Sequence, residues 1–383
     1  MFNRCTLLIK SPEFAIPINN LVYTNSFLSM FSGCTSLTTA PSVLPVTRLS
    51  PNCYKNMFAH CTSLTTAPEL PATTLAGNCY QSMFQGCSSL ITAPELPATN
   101  LNIGCYYAMF SECTSLTVAP ELPATILTND CYYNMFRDCT SLTTAPELSS
   151  INLATNCYIN MFYGCSSLIT APALPATTLA NWCYYGMFHG CTSLTTVPEL
   201  PATTLAGNCY TSMFEGCSSL ITAPALPATT LADNCYYTMF HGCTNLTTSI
   251  ELPATTLTIN CYRQMFDGCS SLNNIKVEFT NWNSNNNSTT DWVNGVAQNG
   301  TFTKPQSLTS ITGTSNIPTT WTIINEEDIP LTLIAKEANS TVTLTKTGNP
   351  NISGLKYKTN NDNDWNDYTI DTEITLSNIN DYV

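Results

Sequence analysis

A step of 26 residues runs through most of this 383-residue chain. The first cysteine of each unit falls at Cys53, Cys79, Cys105, Cys131, Cys157, Cys183, Cys209, Cys235 and Cys261. The second falls at Cys61, Cys87, Cys113, Cys139, Cys165, Cys191, Cys217, Cys243 and Cys269. An earlier unit carries Ser26 and Cys34 at these places, and one extra residue near Ser42 and Val43 separates it from the next. Met1, Phe2 and Cys5 match the second half of a unit, so the chain opens inside a repeat. Two readings of that start stay open: a methionine that happens to begin the chain, or a fragment whose true N-terminus lies upstream. A repeat this short cannot bury a core alone. It must stack on its neighbours, which predicts a right-handed solenoid of about ten coils near 50 Å long on its sheet side.

Each unit follows CY-x-x-MF-x-G-C-[ST]-S-L-[TI]-T-A-P-E-L-P-A-T-T-L-A-x-N. Cys79, Tyr80, Met83, Phe84 and Cys87 fall at i, i+1, i+4, i+5 and i+8, the spacing of one apolar face of a short helix. Asn or Asp precedes the first cysteine position in most units, as an N-cap would, and Gly precedes the second, as at a helix end. SLTTAP is Thr-rich and stopped by proline, which predicts a short strand, and LPATTL reads as the return loop. The register is lost after Leu272. Residues 273–325 hold Trp282, Trp292 and Trp321 and are expected to cap the solenoid, 1–272. The tryptophans there are expected to pack as core rather than to form a sugar platform. Residues 326–383 alternate apolar and polar residues between Asn, Gly and Asp turns, which predicts a small antiparallel, Ig-like β domain. It ends in strand-like sequence, so the C-terminus is expected to be cut as well.

The cysteines first suggest chemistry. On a helix, Cys79 and Cys87 would stand about 12 Å apart, too far for a disulfide, which needs Cα atoms within roughly 7 Å. Bonds between equivalent cysteines of adjacent coils would work only in alternation. Zinc ligands come at closer spacing, and a catalytic thiol needs one special environment rather than a row of equal ones. Buried free thiols stacked as small hydrophobes are the favoured reading, with some inter-coil disulfides as the alternative.

The stretch MFEGCSSLITAPALPATTLA at 213–232 resembles the BspA-type leucine-rich repeat, with Met213, Phe214, Cys217, Leu220 and Pro224 at the family's positions. The departure is a longer loop at LPATTL. The resemblance covers about residues 1–272. It implies a leucine-rich-repeat solenoid from an adhesin-like surface protein of Bacteroides-like bacteria, and similar arrays occur in their phages. It fixes no binding residue.

Candidate ligand contacts come from the columns that change while the scaffold repeats. One column runs Lys55, Gln81, Tyr107, Tyr133, Ile159, Tyr185, Thr211, Tyr237 and Arg263. The other runs Ala59, Gln85, Ser111, Arg137, Tyr163, His189, Glu215, His241 and Asp267. On a helix these lie at i and i+4 and form one exposed ridge. Tyr107, Tyr133, Arg137, Tyr163, Tyr185, His189, Tyr237 and His241 are its recognition-type residues, and Trp182, in place of a capping Asn, lies beside it. Two readings are open: surface drift, or a contact surface. The strand columns are almost all Thr, with Ile91, Val118, Ile169 and Ile221, and suit a neutral wall or a repetitive ligand. Glu69, Glu95, Glu121, Glu147, Glu199 and Glu251 form a further column, interrupted by Ala173 and Ala225, for which a solvated row is expected and cation binding is the alternative.

The net charge of −13 argues against nucleic acid and anionic membranes as partners. No apolar run of about 18 residues predicts a membrane span, and the opening MFNRCTLLIK has no signal-peptide core. No phosphate loop, HExxH or repeated metal spacing is present, and His60, His189 and His241 have no fixed nucleophile partner. The expectation is a non-enzymatic cell-surface or secreted binding protein without cofactor or metal, contacting an extracellular protein or glycan. The alternative is a phage virion or tail-associated protein. The oligomeric state is left open.

Overall fold

The computed structural model describes residues 2–13, 22–247 and 250–326, with strand segments at 340–343, 356–357, 366–367 and 373–376. The chain divides into two compact units, Met1–Ile324 and Asn325–Val383.

In the first unit the inward columns of successive coils stack into continuous ladders. Cys79, Met83, Phe84, Cys87 and Leu90 are fully buried, Tyr80 is all but buried, and the same columns are buried from Cys53 to Leu272. Phe58, Phe84, Phe110, Phe136, Phe162 and Phe188 stack nearly parallel, with ring centroids 5.6 to 5.7 Å apart. Tyr54, Tyr80 and Tyr106 stack alongside them at 5.8 and 5.9 Å. Offset stacks of this kind add about 0.5–1.5 kcal/mol per pair beyond the apolar area they bury.

The short helix expected in every coil is absent. The described residues hold no α-helix, and one 3-10 turn, Ser284–Asn286. Each CYxxMFxGC segment instead alternates right- and left-handed residues. In the coil of Cys79 the left-handed positions are Asn78 (φ 57°), Tyr80 (φ 59°), Ser82 (φ 50°) and Gly86 (φ 71°). Backbone N–H groups then alternate in direction. Gln81, Met83, Gln85 and Cys87 donate back three residues to Asn78, Tyr80, Ser82 and Phe84. Asn78, Ser82, Phe84 and Gly86 donate to the next coil, at Ile103, Tyr107, Met109 and Ser111, over 2.7–2.9 Å. A helix would satisfy its donors internally and leave none for the neighbour, whereas this turn ladder welds each coil to the next.

Asn and Asp before the first cysteine are therefore not N-caps. They occupy a left-handed position that costs other L-residues roughly 1–2 kcal/mol and that Asn, Asp and Gly tolerate. The same need explains the residue before Met-Phe and the residue before the second cysteine: Asn134 and Asp138, Asn160 and Gly164, Ser212 and Gly216 all have positive φ. The Cys–Tyr peptide itself has two settings. Tyr80 and Tyr106 donate back to Cys53 and Cys79, while Tyr132 and every later equivalent through Tyr236 donate forward, beginning with Cys157.

The second cysteine of each coil donates its thiol to the phenylalanine carbonyl of the coil before, as in Cys87 to Phe58, Cys165 to Phe136 and Cys243 to Phe214, over 3.0–3.1 Å. A buried sulfur so placed fills the core and satisfies a carbonyl at once. Burial pushes the thiols of Cys61, Cys79 and Cys209 up to about 12. The thiolate needed for nucleophilic attack or metal ligation is thus strongly disfavoured. The cysteines of the array are buried and unpaired, and Cys5 alone is exposed. Since the helix is absent, the helical distance used above against a disulfide within one coil no longer applies.

The expected short strands shrink to single-residue parallel bridges. One row links Thr66, Thr92, Val118, Thr144, Thr170 and Thr196. A second row, in the segment expected to be only a return loop, links Arg48, Thr74, Asn100, Ile126 and Asn152, and Thr178 with Thr204. The prolines between the rows, such as Pro68 and Pro71, lack the N–H that a longer ladder needs. Leu70 and Ala72, beside them, point into the core.

Regular strands appear where the first proline of the unit is lost, with Ile250 and then Lys276 at the place that Pro224 holds earlier in the array. β1 (Ile250–Leu252), β2 (Asn274–Val277), β3 (Thr301–Lys304) and β4 (Thr322–Asn325) form one sheet in chain order, parallel from β1 to β3, with Ile250 opposite Ile275 and Ile275 opposite Phe302. Trp292 lies against Tyr262 and Phe266, with Phe279, Trp282 and Phe302 around it. The three tryptophans are buried, and their indole N–H groups donate to the carbonyls of Thr309, Asn316 and Ala297. They pack as core and form no sugar platform.

In the second unit β5 (Ser340–Thr343) pairs antiparallel with β8 (Glu373–Leu376), and β6 (Lys356–Tyr357) with β7 (Asn366–Asp367). The rest of 327–383 lies outside the described residues.

Candidate functional site

The two variable columns lie on the turn ladder, between the inward pairs. Their side chains are held by backbone whose N–H groups are bonded within the turn or to the next coil. The structure brings most of the sequence-nominated residues together, by coil stacking rather than by helical i, i+4 geometry. They are not an exposed ridge. Tyr107, Tyr133, Arg137, Tyr163, Tyr185, His189, Tyr237 and His241 are half-buried; Tyr185 leans on Trp182 of its own coil, and the others lean on a neighbour one coil away.

In the first column Tyr107 and Tyr133 stack at 4.7 Å, and the guanidinium of Arg263 lies 5.7 Å from the ring centre of Tyr237. The Tyr237 hydroxyl donates to Gln264 Oε1 at 3.4 Å. Ile159 and Thr211, in the same column, are sunk into the surface (6% and 2% exposed), and the Thr211 hydroxyl donates to Asn234 O at 2.6 Å. Trp182 stands out at 39% exposure, in contact with Tyr185 at 5.2 Å. It occupies the left-handed column at φ 60°, where most coils carry Asn or Asp. A bulky residue there is an outlier that sequence reading took for a missing cap.

The second column is one chain of charge and ring contacts. Arg137 pairs with Asp138 at 3.2 Å and lies 4.6 Å from the Tyr163 ring centre, and Tyr163 stacks on His189 at 4.4 Å. His189 Nδ1 is 3.6 Å from Glu215 Oε2, and His241 Nδ1 is 3.2 Å from Glu215 Oε1. His241 Nε2 is 3.9 Å from Asp267 Oδ2, and Asn294 donates to Asp267 Oδ1 at 2.9 Å. Partial burial raises the affinity of Glu215 for its proton, but hydrogen bonds from His189, Ser212 and His241 outweigh it and hold the carboxyl down at about 2. The ionic groups of this column are thus largely spoken for inside the protein. The pairs were invisible in sequence because residues 26 apart mean nothing until the coil register is known.

The other columns are plainer. Glu69, Glu95, Glu121, Glu147, Glu199 and Glu251 are exposed, as are Ile91, Val118, Ile169 and Ile221 on the Thr-rich wall. Where Ala225 replaces the glutamate, a shallow cavity of about 360 Å³ opens, lined by Pro198, Pro201, Pro224 and Pro227 with Glu199 at its edge. Among the described residues no group of His, Cys, Asp and Glu is placed to hold a metal ion, and no helix is long and apolar enough to cross a membrane.

Near-identical coils, an invariant stacked core and side-chain variation gathered on one edge define a leucine-rich-repeat solenoid. The family model described as the BspA-type leucine-rich repeat region matches at 29–169, 77–220, 176–293 and 234–325, and the chain belongs to that family. It is also similar to a leucine-rich repeat protein from Bacteroides ovatus solved by crystallography, at 19% identity over 85% of this chain and 86% of that one, with a TM-score of 0.45. None of the curated proteins compared matches.

Proposed function

We propose that the chain is a non-enzymatic surface-exposed or secreted binding protein, and that the variable turn edge contacts an extracellular macromolecule. The carrying observation is that Tyr107, Tyr133, Tyr163, Trp182, Tyr185, Tyr237, Arg137, Arg263 and the two histidines gather on one edge of an otherwise repetitive molecule. Tyr, Trp and Arg are the residues over-used at binding hot spots, and here they stand on backbone that is already fixed, so little order is lost on binding. Membership of a family whose proteins are typically surface-associated supports the location. In this reading 273–325 serves as the cap of the solenoid, and 326–383 forms a separate small β domain.

The test is a glycan and matrix-protein array probed with the full chain and with a variant carrying Tyr107, Tyr133, Tyr185 and Tyr237 as Ala. Loss of a bound ligand in the variant, at unchanged melting temperature, is the expected result. Equal binding by both proteins would rule the edge out.

A further inference from the structure

The glutamate column of the loop segment is broken twice, by Ala173 and Ala225. At Ala225 the missing side chain leaves the shallow cavity of about 360 Å³ between that coil and the one before it. Pro198 and Pro201 line it from the earlier coil, and Pro224 and Pro227 from the later one. Ala173 has no such setting, since Ser149 stands where Pro201 would.

The lining decides what fits. Four of its ten residues are proline, which has no N–H, so their backbone offers acceptors only. Glu199 adds a carboxylate at the edge. That carboxylate is exposed and makes no ion pair among the described residues. Arg137 is the one lysine or arginine between positions 56 and 262, and it is held by Asp138. The surrounding coils therefore supply no cation of their own. An anionic ligand meets a net charge of −13 and a carboxylate at the mouth. Sugar hydroxyls need donors as well as acceptors, and this lining is short of donors. A wholly apolar side chain would strip water from Glu199 without giving it a partner. Arginine and lysine side chains supply both missing parts. Their stems are apolar, and their heads donate without accepting.

We infer that the Ala225 cavity is a docking site for a basic segment of a partner protein. One arginine or lysine stem lies against the proline rings and its charged head sits on Glu199. This site is separate from the turn edge and does not depend on it.

Fluorescence anisotropy of labelled hexa-arginine and hexalysine peptides against the full chain tests it, with hexaglutamine as comparator. The salt is set at about 0.15 M, so that attraction between exposed charges is screened beyond roughly 8 Å. The expected result is binding of a basic peptide that falls at least about tenfold in Ala225→Leu, which fills the cavity and leaves every charge in place. Glu199→Gln keeps the shape, removes one charge and should weaken binding by a similar factor. Glu147→Gln removes the same charge from the same column away from the cavity, and should change binding by less than about twofold. Position 225 is exposed, so the melting temperature of Ala225→Leu should hold. No binding of either basic peptide overturns the inference. So does binding unchanged in Ala225→Leu, which would mean diffuse attraction to an acidic protein. Equal losses in Glu147→Gln and Glu199→Gln would assign the effect to the whole column and also overturn it. Tyr185→Ala, on the turn edge, should leave the peptides bound. Loss there, with the cavity variants unaffected, would move the site to the turn edge, overturning this inference and leaving the proposed function standing.

Discussion

The turn edge and the bridge edges of each coil are built on opposite plans. At the turn edge several backbone hydrogen bonds join each coil to the next, for instance from Asn78, Ser82, Phe84 and Gly86. At the bridge edges contact narrows to single residues such as Thr144 and Thr170, because the flanking prolines cannot extend a ladder. Sequence behaves the other way round. The first bridge row is threonine in all but Val118, the second mixes threonine with Arg48, Asn100, Ile126 and Asn152, and the densely bonded edge carries the aromatic and charged variety. Variation is tolerated where the backbone is held independently of the outward side chain.

That contrast can be broken most forcefully at the turn-edge core. Phe162→Ala, between Phe136 and Phe188 in the stack, is expected to cost about 3–5 kcal/mol in chemical denaturation. A loss under about 1 kcal/mol would mean that the ladders do not carry the stability. Next in size is Trp182→Asn. It replaces a strained left-handed tryptophan by the residue most other coils use, and should raise stability by roughly 1 kcal/mol while lowering ligand binding. If the variant is less stable, the tryptophan is a packing residue rather than an exposed contact.

A smaller effect, visible mainly through pH, is expected at Glu215. Its carboxyl titrates near 2 in the folded chain against an ordinary 4.5, so its contribution is present above about pH 4.5 and lost as the pH falls through about 2. Glu215→Gln should therefore be less stable than the wild type at neutral pH, with the gap closing across that acid window. A gap independent of pH would place the effect in packing, not charge. The smallest change is expected at the bridge edge. Thr170→Ala, exposed and bridged to Thr144 and Thr196, should stay within about 0.5 kcal/mol by the same denaturation measurement. A loss matching Phe162→Ala would erase the contrast between the edges.

Much of this was legible in the letters. The step of 26 and the columns at Cys79, Tyr80, Met83, Phe84, Cys87 and Leu90 marked the stack and its core, and all six point inward. The columns between them marked the variable edge. What failed was the local conformation. Apolar residues at i, i+1, i+4, i+5 and i+8 fit one helical face, but an alternation of left- and right-handed residues buries the same pairs. The distinguishing letters were the small polar residues at positions 78, 82 and 86. Asn78 and Gly86 each had an explanation as a helix end, and Ser82, which has none, was the sign that this was no helix. The single-residue bridges were hidden for a related reason. Proline was rightly read as a strand stop, yet the threonine on its far side, Thr74, also bridges to the next coil.

The forward-donating turn ladder has one further consequence. Because a typical coil offers its donors to the successor and its carbonyls to the predecessor, any two interior coils of like setting present nearly interchangeable ends. Removing or duplicating one whole 26-residue unit by in-frame recombination between near-identical repeats would rejoin matched ends. Array length would then change by whole units with the backbone ladder intact, and with it the number of variable positions the edge presents.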